Sequence, residues 1–317
     1  MQSELIWMDG ELVPYEQATI HVINPTLHYG AGVFEGIRCY ETPQGPGVFR
    51  LRDHLERFLN STHILGIGEF PFTVEDLRLG VLKTIQVNGF KSCYIRPLMY
   101  LDGPLGLNMD RSRPRVAIAA WEWGPYLGEE AKVNGIHMMV SSFSRLHPNV
   151  NLTKAKVTGN YVNSLLVKTL ALRSGYDEAA ILDTQGYVTE CTGENIFMVS
   201  RGKLITPPLT FILEGITRDT ILVLARDMGL QLGERMITRD ELYIADEVFI
   251  SGTAAEIVGV RMIDYRAIKD GKVGPITRSL QAAYDDAVQG VGTHSHDWLD
   301  YVNLQVQSKN INQYMNN

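Results

Sequence analysis

Short apolar runs alternate with amphipathic stretches along the first third of the chain. The run Ile6–Val13 predicts a hairpin, because its central Asp-Gly pair accepts the positive φ of a tight turn. Apolar residues at helical spacing predict one helix that begins at a capping box of Asp53 and Glu56, and a second helix over 73–87. Further strands are predicted at 33–40, 48–51, 92–101 and 115–123.

A stretch rich in glycine and charge, GPYLGEEAKVNG, separates this part from a second mixed pattern. That pattern predicts strands at 136–142, 178–183, 195–200, 203–207 and 247–251, and helices over 159–173, from about Thr217 and from Pro275 to Val288. We therefore expect an α+β protein with two mixed domains. The predicted bounds are 1–124 for a small N-terminal domain, 125–135 for a linker, 136–305 for a larger domain and 306–317 for a polar tail.

Composition agrees with two globular domains and excludes several classes of protein. The 317 residues are 45% hydrophobic and 21% charged, which argues against disorder and fibrous folds. No apolar run reaches the roughly 18 residues of a membrane span, and the first residues lack a basic and apolar leader, so we expect a cytoplasmic protein. The net charge of −7 without a basic stripe argues against nucleic acid as a partner. Cys39, Cys93 and Cys191 form no CxxC and are expected to be reduced thiols.

Two patterns suggest cofactor or metal binding, but neither contains all the residues that such a site needs in the required positions. HYGAGVFEG, at 28–36, places its third glycine one residue late for a dinucleotide-binding turn and continues as a strand. His294 and His296 lie in a polar segment with no further ligands nearby, so no metal site is predicted.

One lysine and one glutamate stand in unusual settings. Lys156 lies among small and apolar residues just before a helix, where burial favours the neutral amine that a nucleophile or Schiff-base lysine needs. Glu190 ends a predicted strand and could contact a protonated pyridine nitrogen, although a solvated turn carboxylate is the ordinary interpretation.

Three features could bind a phosphate. Gly215-Ile216-Thr217 opens a predicted helix, whose first N–H groups and dipole attract anions. The small residues of 251–255 follow a strand and could form a nest of N–H groups. Arg57 lies within a predicted helix, where a surface salt bridge is the alternative to a phosphate contact.

Six segments, in this order, resemble one family: HYGAGVFEGIRCY, YIRPL, AKVTGNY, GYVTECTGENIF, LEGITRD and ADEVFISGTAAEI. Together they resemble the branched-chain amino-acid aminotransferases of the fold-type IV pyridoxal phosphate class, over about Ile6 to Val302. The resemblance implies two mixed α/β domains of the D-amino-acid aminotransferase-like class, with the active site at the domain interface. It also implies pyridoxal 5′-phosphate as cofactor, bound covalently to Lys156 as an aldimine.

The resemblance assigns roles to single residues as well. Lys156 is chosen over Lys154 by its spacing to Gly159-Asn160-Tyr161. Glu190 corresponds to the carboxylate on the pyridine nitrogen and Tyr161 to the tyrosine on the phenolic oxygen. The phosphate-binding positions correspond to Arg57, Ile216, Thr217 and Thr253. The substrate-binding positions correspond to Tyr29, Phe34, Gly36, Tyr94, Arg96, Leu105, Leu107, Trp123, Tyr126, Thr253 and Ala254. Thr158 departs from the family pattern, which often has glycine there.

The reaction implied is the reversible, ping-pong transfer of the amino group of L-leucine, L-isoleucine or L-valine to 2-oxoglutarate through pyridoxamine phosphate. The partners expected are therefore amino acids and 2-oxo acids. A second copy of the chain is expected too, since in this class a loop of another subunit partly closes the site. The family implies at least a homodimer and leaves a hexamer open. A D-amino-acid aminotransferase, a more remote aminodeoxychorismate lyase and a non-catalytic pyridoxal phosphate-binding protein are the alternatives.

Overall fold

A computed structural model of the chain describes residues 2–124 and 126–304. The predicted polar tail, 306–317, lies outside the described residues. The strands are β1 (Leu5–Met8), β2 (Glu11–Pro14), β3 (Val33–Phe34), β4 (Ile37–Thr42), β5 (Gly45–Phe49), β6 (Cys93–Asp102), β7 (Arg113–Trp121), β8 (Ile136–Ser144), β9 (Glu178–Leu182), β10 (Asn195–Ser200), β11 (Lys203–Thr206), β12 (Gln231–Glu234), β13 (Glu247–Gly252), β14 (Glu256–Ile263), β15 (Arg266–Ala267) and β16 (Leu299–Tyr301). The helices are α1 (Pro25–Tyr29), α2 (Leu51–Ile64), α3 (Val74–Asn88), α4 (Glu129–Asn134), α5 (Tyr161–Arg173), α6 (Ile216–Asp227), α7 (Arg239–Tyr243), α8 (Pro275–Val288) and α9 (Ser295–Trp298).

The chain forms two compact units, which divide the sequence differently from the predicted domains. The described residues of unit 1 are 2–123, 155–159 and 286–304, and those of unit 2 are 124, 126–154 and 160–285. The predicted linker therefore belongs to unit 2, where it contains α4. Residues 155–159, which carry Lys156, belong to unit 1 although their neighbours on both sides lie in unit 2.

Unit 1 is built on an antiparallel sheet of eight strands, in the order β16-β5-β4-β6-β7-β1-β2, with β3 paired to β6. The predicted hairpin at its edge is confirmed: β1 pairs with β2, and the turn has Asp9 at φ 50° and Gly10 at φ 103°. Helices α2 and α3 bury their apolar faces in a core shared with the sheet strands, where Leu55, Phe58 and Val81 are inaccessible to solvent. Each such side chain contributes roughly 1.5–3 kcal/mol through burial.

The two helices of unit 1 begin differently. Helix α3 has a capping box in which the Thr73 hydroxyl accepts from the Asp76 N–H, and it ends at Gly89 with φ 69°. The predicted capping box of α2 is wrong, because α2 already begins at Leu51 and Asp53 lies inside its first turn. There Asp53 accepts a hydrogen bond from Arg50 Nε at 2.6 Å.

Unit 2 is built on a mixed sheet of eight strands, in the order β12-β11-β10-β13-β14-β8-β9, with β15 on β14. Its centre is antiparallel, from β10 through β13 to β14, whereas β8 runs parallel to both β14 and β9. Strands at this centre are buried on both faces, which explains the continuous apolar sequences of β10 and β13. Helix α5 packs against β8 and β9, and α6 packs against β12 and β13.

The segment 155–159 joins unit 1 through its backbone. Val157 forms a β-bridge with Val33, Thr158 N donates to Gly32 O at 2.8 Å, and Gly159 N donates to Gly30 O at 3.0 Å. Thr158, the departure from the family pattern, adds a bond that glycine could not make, since its hydroxyl donates to Gly30 O at 2.6 Å. Buried Ala155 and Val157 then complete the unit 1 core.

The described residues also bear on two compositional observations. Cys39, Cys93 and Cys191 are each buried, and none forms a disulfide among the described residues. Across residues 2–124 and 126–304, we find no helix with the length and apolar character needed to cross a membrane.

Gly30 tests how tightly this segment is held. Gly30 (φ 70°) and Gly229 (φ 72°) share a left-handed backbone, but only at Gly30 would a Cβ meet another backbone, 2.7 Å from Gly159 Cα. Gly229→Ala is expected to cost about 1–2 kcal/mol for its φ alone. Gly30→Ala is expected to cost at least about 1 kcal/mol more, because the 155–159 segment must shift. Urea unfolding measures both losses, and equal losses would contradict the close contact.

Candidate active site

Lys156 is held by unit 1 on both sides of its backbone. Its N–H donates to Ser61 Oγ of α2 at 3.0 Å, and its carbonyl accepts from Phe34 N of β3 at 3.1 Å. The amine Nζ lies 4.9 Å from the centre of the Phe34 ring. The residue as a whole is half-buried.

Lys154, two residues earlier, has a different environment. It belongs to unit 2, where its amine donates to the Leu209 carbonyl and lies 3.1 Å from Glu214 Oε1. These contacts occupy Lys154 in a structural role, which agrees with the choice of Lys156 from spacing.

Arg57 lies on the same helix as Ser61 and meets a fully buried carboxylate. Its Nε and one terminal nitrogen donate to the two oxygens of Glu35 at 2.6 and 2.8 Å. His54 Nδ1 also lies 2.8 Å from Glu35 Oε2. Burial alone would raise the pKa of Glu35, but the Arg57 charge and the His54 hydrogen bond outweigh it and hold that pKa well below its usual range. Burial lowers the pKa of His54, which leaves the positive charge of this cluster on Arg57.

Arg96 lies among aromatic rings, as the alternation along β6 predicts for the face it shares with Tyr94. Its guanidinium carbon is 4.8 Å from the Phe34 ring and 5.3 Å from the Tyr94 ring, and one nitrogen donates to the Tyr94 hydroxyl at 3.3 Å. Trp123 packs edge-on against Tyr94, with 4.5 Å between ring centres. Arg96 Nε is buried and has no hydrogen-bond partner among the described residues. An apolar wall with one cation and a spare donor is therefore present in unit 1.

The packing of this wall explains Gly36 and reveals one residue that sequence reasoning missed. A Cβ at Gly36 would lie 1.8 Å from the Tyr94 hydroxyl, so only glycine fits there. Trp121 stands opposite Tyr94 in the β6–β7 register and lies 5.8 Å from the Arg96 guanidinium. The strand alternation that groups Tyr94 with Arg96 could have found Trp121, had the register of β7 been known.

Glu190 is one of several buried acidic residues of unit 2. Oε1 lies 2.6 Å from a terminal nitrogen of Arg145, and Oε2 accepts from Asn195 Nδ2 at 3.3 Å and from Leu213 N at 3.1 Å. A guanidinium and two N–H donors favour the ionised carboxylate. Arg145 thus uses its side chain within unit 2. Neither Arg145 nor Asn195 was singled out for this role from sequence.

The start of α6 offers backbone N–H donors without a side-chain cap. Gly215 is its N-cap, and Thr217 in the first turn is only 4% exposed. A Cβ at Gly215 would lie 1.9 Å from Asn195 Oδ1, so the same asparagine that binds Glu190 also requires the glycine. Thr253 and Ala254 form the turn of the β13–β14 hairpin, just after Ser251, whose buried hydroxyl has no partner among the described residues.

A profile of the amino-transferase class IV family matches residues 32–263, which include most of these residues. The chain belongs to the class IV amino-transferases.

Relatives of known name resemble this class IV aminotransferase along nearly its whole length. The branched-chain-amino-acid aminotransferase of Pseudomonas aeruginosa is 46% identical over 94% of this chain and 97% of the relative. The protein of that name from Escherichia coli K12 is 45% identical over 95% and 98%. Among solved structures, the T.th. branched-chain amino acid aminotransferase with pyridoxamine 5′-phosphate has a TM-score of 0.92 and 47% identity, covering 96% of this chain and 100% of that one. The Escherichia coli enzyme gives a TM-score of 0.91 at 44% identity, over 95% and 100%. The predicted family and the fold-type IV class are confirmed.

Tyr126 of this class IV aminotransferase lies over a buried ionic cluster that sequence reasoning missed. Lys168 Nζ is 5.2 Å from the Tyr126 ring and 2.7 Å from Glu178 Oε2. Burial alone would lower the pKa of Lys168, but the Glu178 charge raises it. Burial, together with the charge of Glu178, raises the pKa of Glu194 to about 8.

Three predicted substrate residues lie on the surface of unit 1. Tyr29 is the last residue of α1 and is 49% exposed, while Leu105 and Leu107 follow β6 and are 39% and 89% exposed. Tyr161, predicted on the phenolic oxygen, is the first residue of α5 and is half-buried. The roles of these four residues stay predictions.

The residues present fit the cofactor that the resemblance implies. Cations and N–H donors are the groups that bind a phosphate; unit 1 has a cation in Arg57, and unit 2 has N–H donors at the uncapped start of α6. A protonated ring nitrogen requires an anion, and Glu190 is a buried carboxylate with a guanidinium partner. An aldehyde requires an amine, and Lys156 presents one beside an aromatic ring.

Glu194 gives the enzyme a pH dependence of stability. A carboxylic acid whose pKa is raised from 4.5 to about 8 by folding loses stability as the pH rises through that interval, because ionising it costs more in the folded state. Glu194→Gln removes this loss. Its melting temperature relative to the wild type should therefore rise by about 2–4 °C or more across that interval. The exposed Glu69→Gln is the control, and a difference independent of pH would contradict the assignment.

Proposed function

We propose that the protein is a branched-chain-amino-acid transaminase, which transfers the amino group of L-leucine, L-isoleucine or L-valine to 2-oxoglutarate. The products are the branched 2-oxo acid and L-glutamate. The observation that carries this proposal is the amine of Lys156 beside the Phe34 ring, on a Lys156 backbone that hydrogen bonds to β3 and α2 hold in place. Identities of 45–46% with relatives that bear the name of this activity support it.

We assign pyridoxal 5′-phosphate as the cofactor. When bound, it supplies an aldehyde that condenses with amines and a ring that accepts electrons from the substrate Cα. In this proposal Lys156 binds it covalently, and the Glu190 carboxylate holds a proton at the ring nitrogen. The Tyr161 hydroxyl binds the phenolic oxygen. The phosphate is bound by Arg57, the N–H of Ile216, and Thr217 and Thr253.

Lys156 also moves protons in the proposed reaction. As a free amine, its Nζ would take the proton from the substrate Cα as a general base and would deliver a proton as an acid later in the half-reaction. Transfer by one amine requires that Lys156 stay close to Cα. The two backbone hydrogen bonds of Lys156, to Ser61 and from Phe34, serve this purpose because they fix the origin of a flexible side chain.

The pocket must accept an aliphatic side chain and, in the other half-reaction, a carboxylate. The aromatic rings of Phe34, Tyr94 and Trp123 suit the first, and the Arg96 guanidinium at their edge suits the second. The other residues proposed to contact substrate are Tyr29, Gly36, Leu105, Leu107, Tyr126, Thr253 and Ala254. The N–H groups of the 253–254 turn are proposed to bind the substrate α-carboxylate.

Two lysine variants test the proposal. Lys156→Ala is expected to abolish transfer from L-leucine to 2-oxoglutarate, because no other amine replaces it as base. Lys154→Ala is expected to retain most activity, since Lys154 contacts only Leu209 and Glu214 among the contacts described. Glutamate formation measures the activity, and borohydride reduction with peptide mapping locates the attached cofactor. A reduced adduct on Lys154 would contradict the assignment, and wild-type activity with D-alanine but not L-leucine would favour a D-amino-acid aminotransferase.

We further propose that the enzyme is at least a homodimer, with a hexamer open, and that it works in the cytoplasm. Exposed apolar residues support self-association: Val22, Ile23 and Leu27 near α1, and Leu165 and Leu166 on α5, are all more than half exposed.

Sedimentation at assay concentration tests the assembly. We expect a species of at least two chains, because a second subunit is proposed to complete the site. A fully active monomer would contradict the shared site. Leu165→Lys, on the exposed face of α5, serves as a dissociating variant if α5 takes part in the interface.

A further inference from the structure

Glu35 is a buried carboxylate whose two oxygens are both in use. Oε1 accepts from Arg57 Nε at 2.6 Å, and Oε2 accepts from an Arg57 terminal nitrogen at 2.8 Å. Oε2 also lies 2.8 Å from His54 Nδ1 and accepts from the Gly36 N–H at 3.2 Å. The residue has no solvent-accessible surface. The orientation of this group is therefore set by these partners.

Stability alone is a weak reason for such a pair. Removing a carboxylate and a guanidinium from water costs several kcal/mol each, and an apolar pair of similar volume is often equally stable. What an apolar pair cannot provide is direction. Two parallel N–H···O bonds fix the plane of a guanidinium, because its nitrogens form a rigid fork. Glu35 binds the Nε side of Arg57 and so determines where the remaining N–H groups of that plane point.

The position of the pair in unit 1 links it to the site. His54, Arg57 and Ser61 are spaced three and four residues apart on α2, so they share one face of the helix. Ser61 on this face accepts the Lys156 N–H, and Phe34, next to Glu35 in the chain, donates its N–H to the Lys156 carbonyl. Glu35 thus lies beside the residues of β3 and α2 that hold the Lys156 backbone, and it binds Arg57, the proposed phosphate ligand.

We propose that Glu35 is a positioning residue, which orients the Arg57 guanidinium toward the phosphate of the cofactor through their two parallel hydrogen bonds. This inference rests on the proposed function, in which Arg57 binds that phosphate. Glu35 touches neither cofactor nor substrate in this proposal; it acts through Arg57.

The test compares the affinities of the apoprotein for pyridoxal 5′-phosphate and for pyridoxal, which lacks the phosphate. Glu35→Gln keeps the shape of the side chain, but only one of its two terminal atoms is an oxygen. It therefore cannot accept both hydrogen bonds from Arg57. We expect its affinity for pyridoxal 5′-phosphate to fall by about tenfold, the usual effect of losing one charged hydrogen bond. The affinity for pyridoxal should change by less than about threefold, and the ³¹P signal of bound cofactor should shift.

A geometrically matched pair in α3 provides the control. Glu75 accepts from Arg78 Nε and a terminal nitrogen at 2.9 and 3.0 Å, but on the exposed surface. Glu75→Gln should leave both affinities and the ³¹P signal unchanged. Glu35→Asp, which keeps the charge on a shorter side chain, should show a smaller loss in the same direction, and it serves as the test if Glu35→Gln does not fold.

Arg57→Ala and its double variant with Glu35→Gln separate the possible failures. Selectivity here is the ratio of the affinity for pyridoxal 5′-phosphate to the affinity for pyridoxal. If Glu35 acts through Arg57, the double variant loses no more of this selectivity than Arg57→Ala alone. Equal losses of both affinities in Glu35→Gln would mean a merely structural role and would overturn the positioning role. Unchanged selectivity in Glu35→Gln beside a clear loss in Arg57→Ala would also overturn it, while leaving the proposed function intact. Unchanged selectivity in Arg57→Ala would refute both the phosphate assignment and the inference.

Discussion

The close backbone contact between Gly30 and Gly159 is the constraint on which the geometry around Lys156 depends. The segment 155–159 has little regular structure, so its conformation comes from bonds to Gly30, Gly32 and Ser61. A side chain at Gly30 would push this segment away, and with it the amine. Thr158 strengthens the contact through its hydroxyl, which donates to Gly30 O and accepts from Gly32 N. A departure from the family pattern therefore reinforces the same arrangement by another bond.

Three of the buried carboxylates each have a cationic partner, and each of these pairs contains or lies next to a proposed ligand of cofactor or substrate. Glu35 pairs with Arg57 in unit 1, and Glu190 pairs with Arg145 in unit 2. The third pair, Glu178 with Lys168, lies under Tyr126. Ion pairs orient side chains more strictly than apolar contacts do. Each of these pairs therefore fixes the orientation of its side chains while changing the stability of the fold little.

Local sequence predicted what local physics determines. Asp9-Gly10 specifies a hairpin, and the helix that ends at Gly89 follows its periodicity and stop signal. The predicted start of α2 is wrong because Arg50, its N-cap residue, is in a left-handed conformation and its side chain makes no capping hydrogen bond to the helix backbone, which leaves no sequence signature. Family motifs singled out Lys156, Arg57 and Glu190. Their partners Glu35, Arg145 and Asn195 were missed. Glu35 and Arg145 contact residues far away in the chain, and the contact of Asn195 with Glu190 depends on the turn between them, which no local pattern predicts.

The path of the chain also affects the order of folding during synthesis. Unit 1 receives its last strand, β16, from residues 299–301, after the whole of unit 2 has been made. Strand β16 pairs with β5. Until β16 is made, β5 remains an open edge of the sheet, with its backbone groups exposed to other strands. The first unit to begin emerging from the ribosome is thus the last to be completed. Chaperones that shield an unpaired strand edge would be most needed in this interval, and truncation before residue 299 would leave β5 without its neighbour.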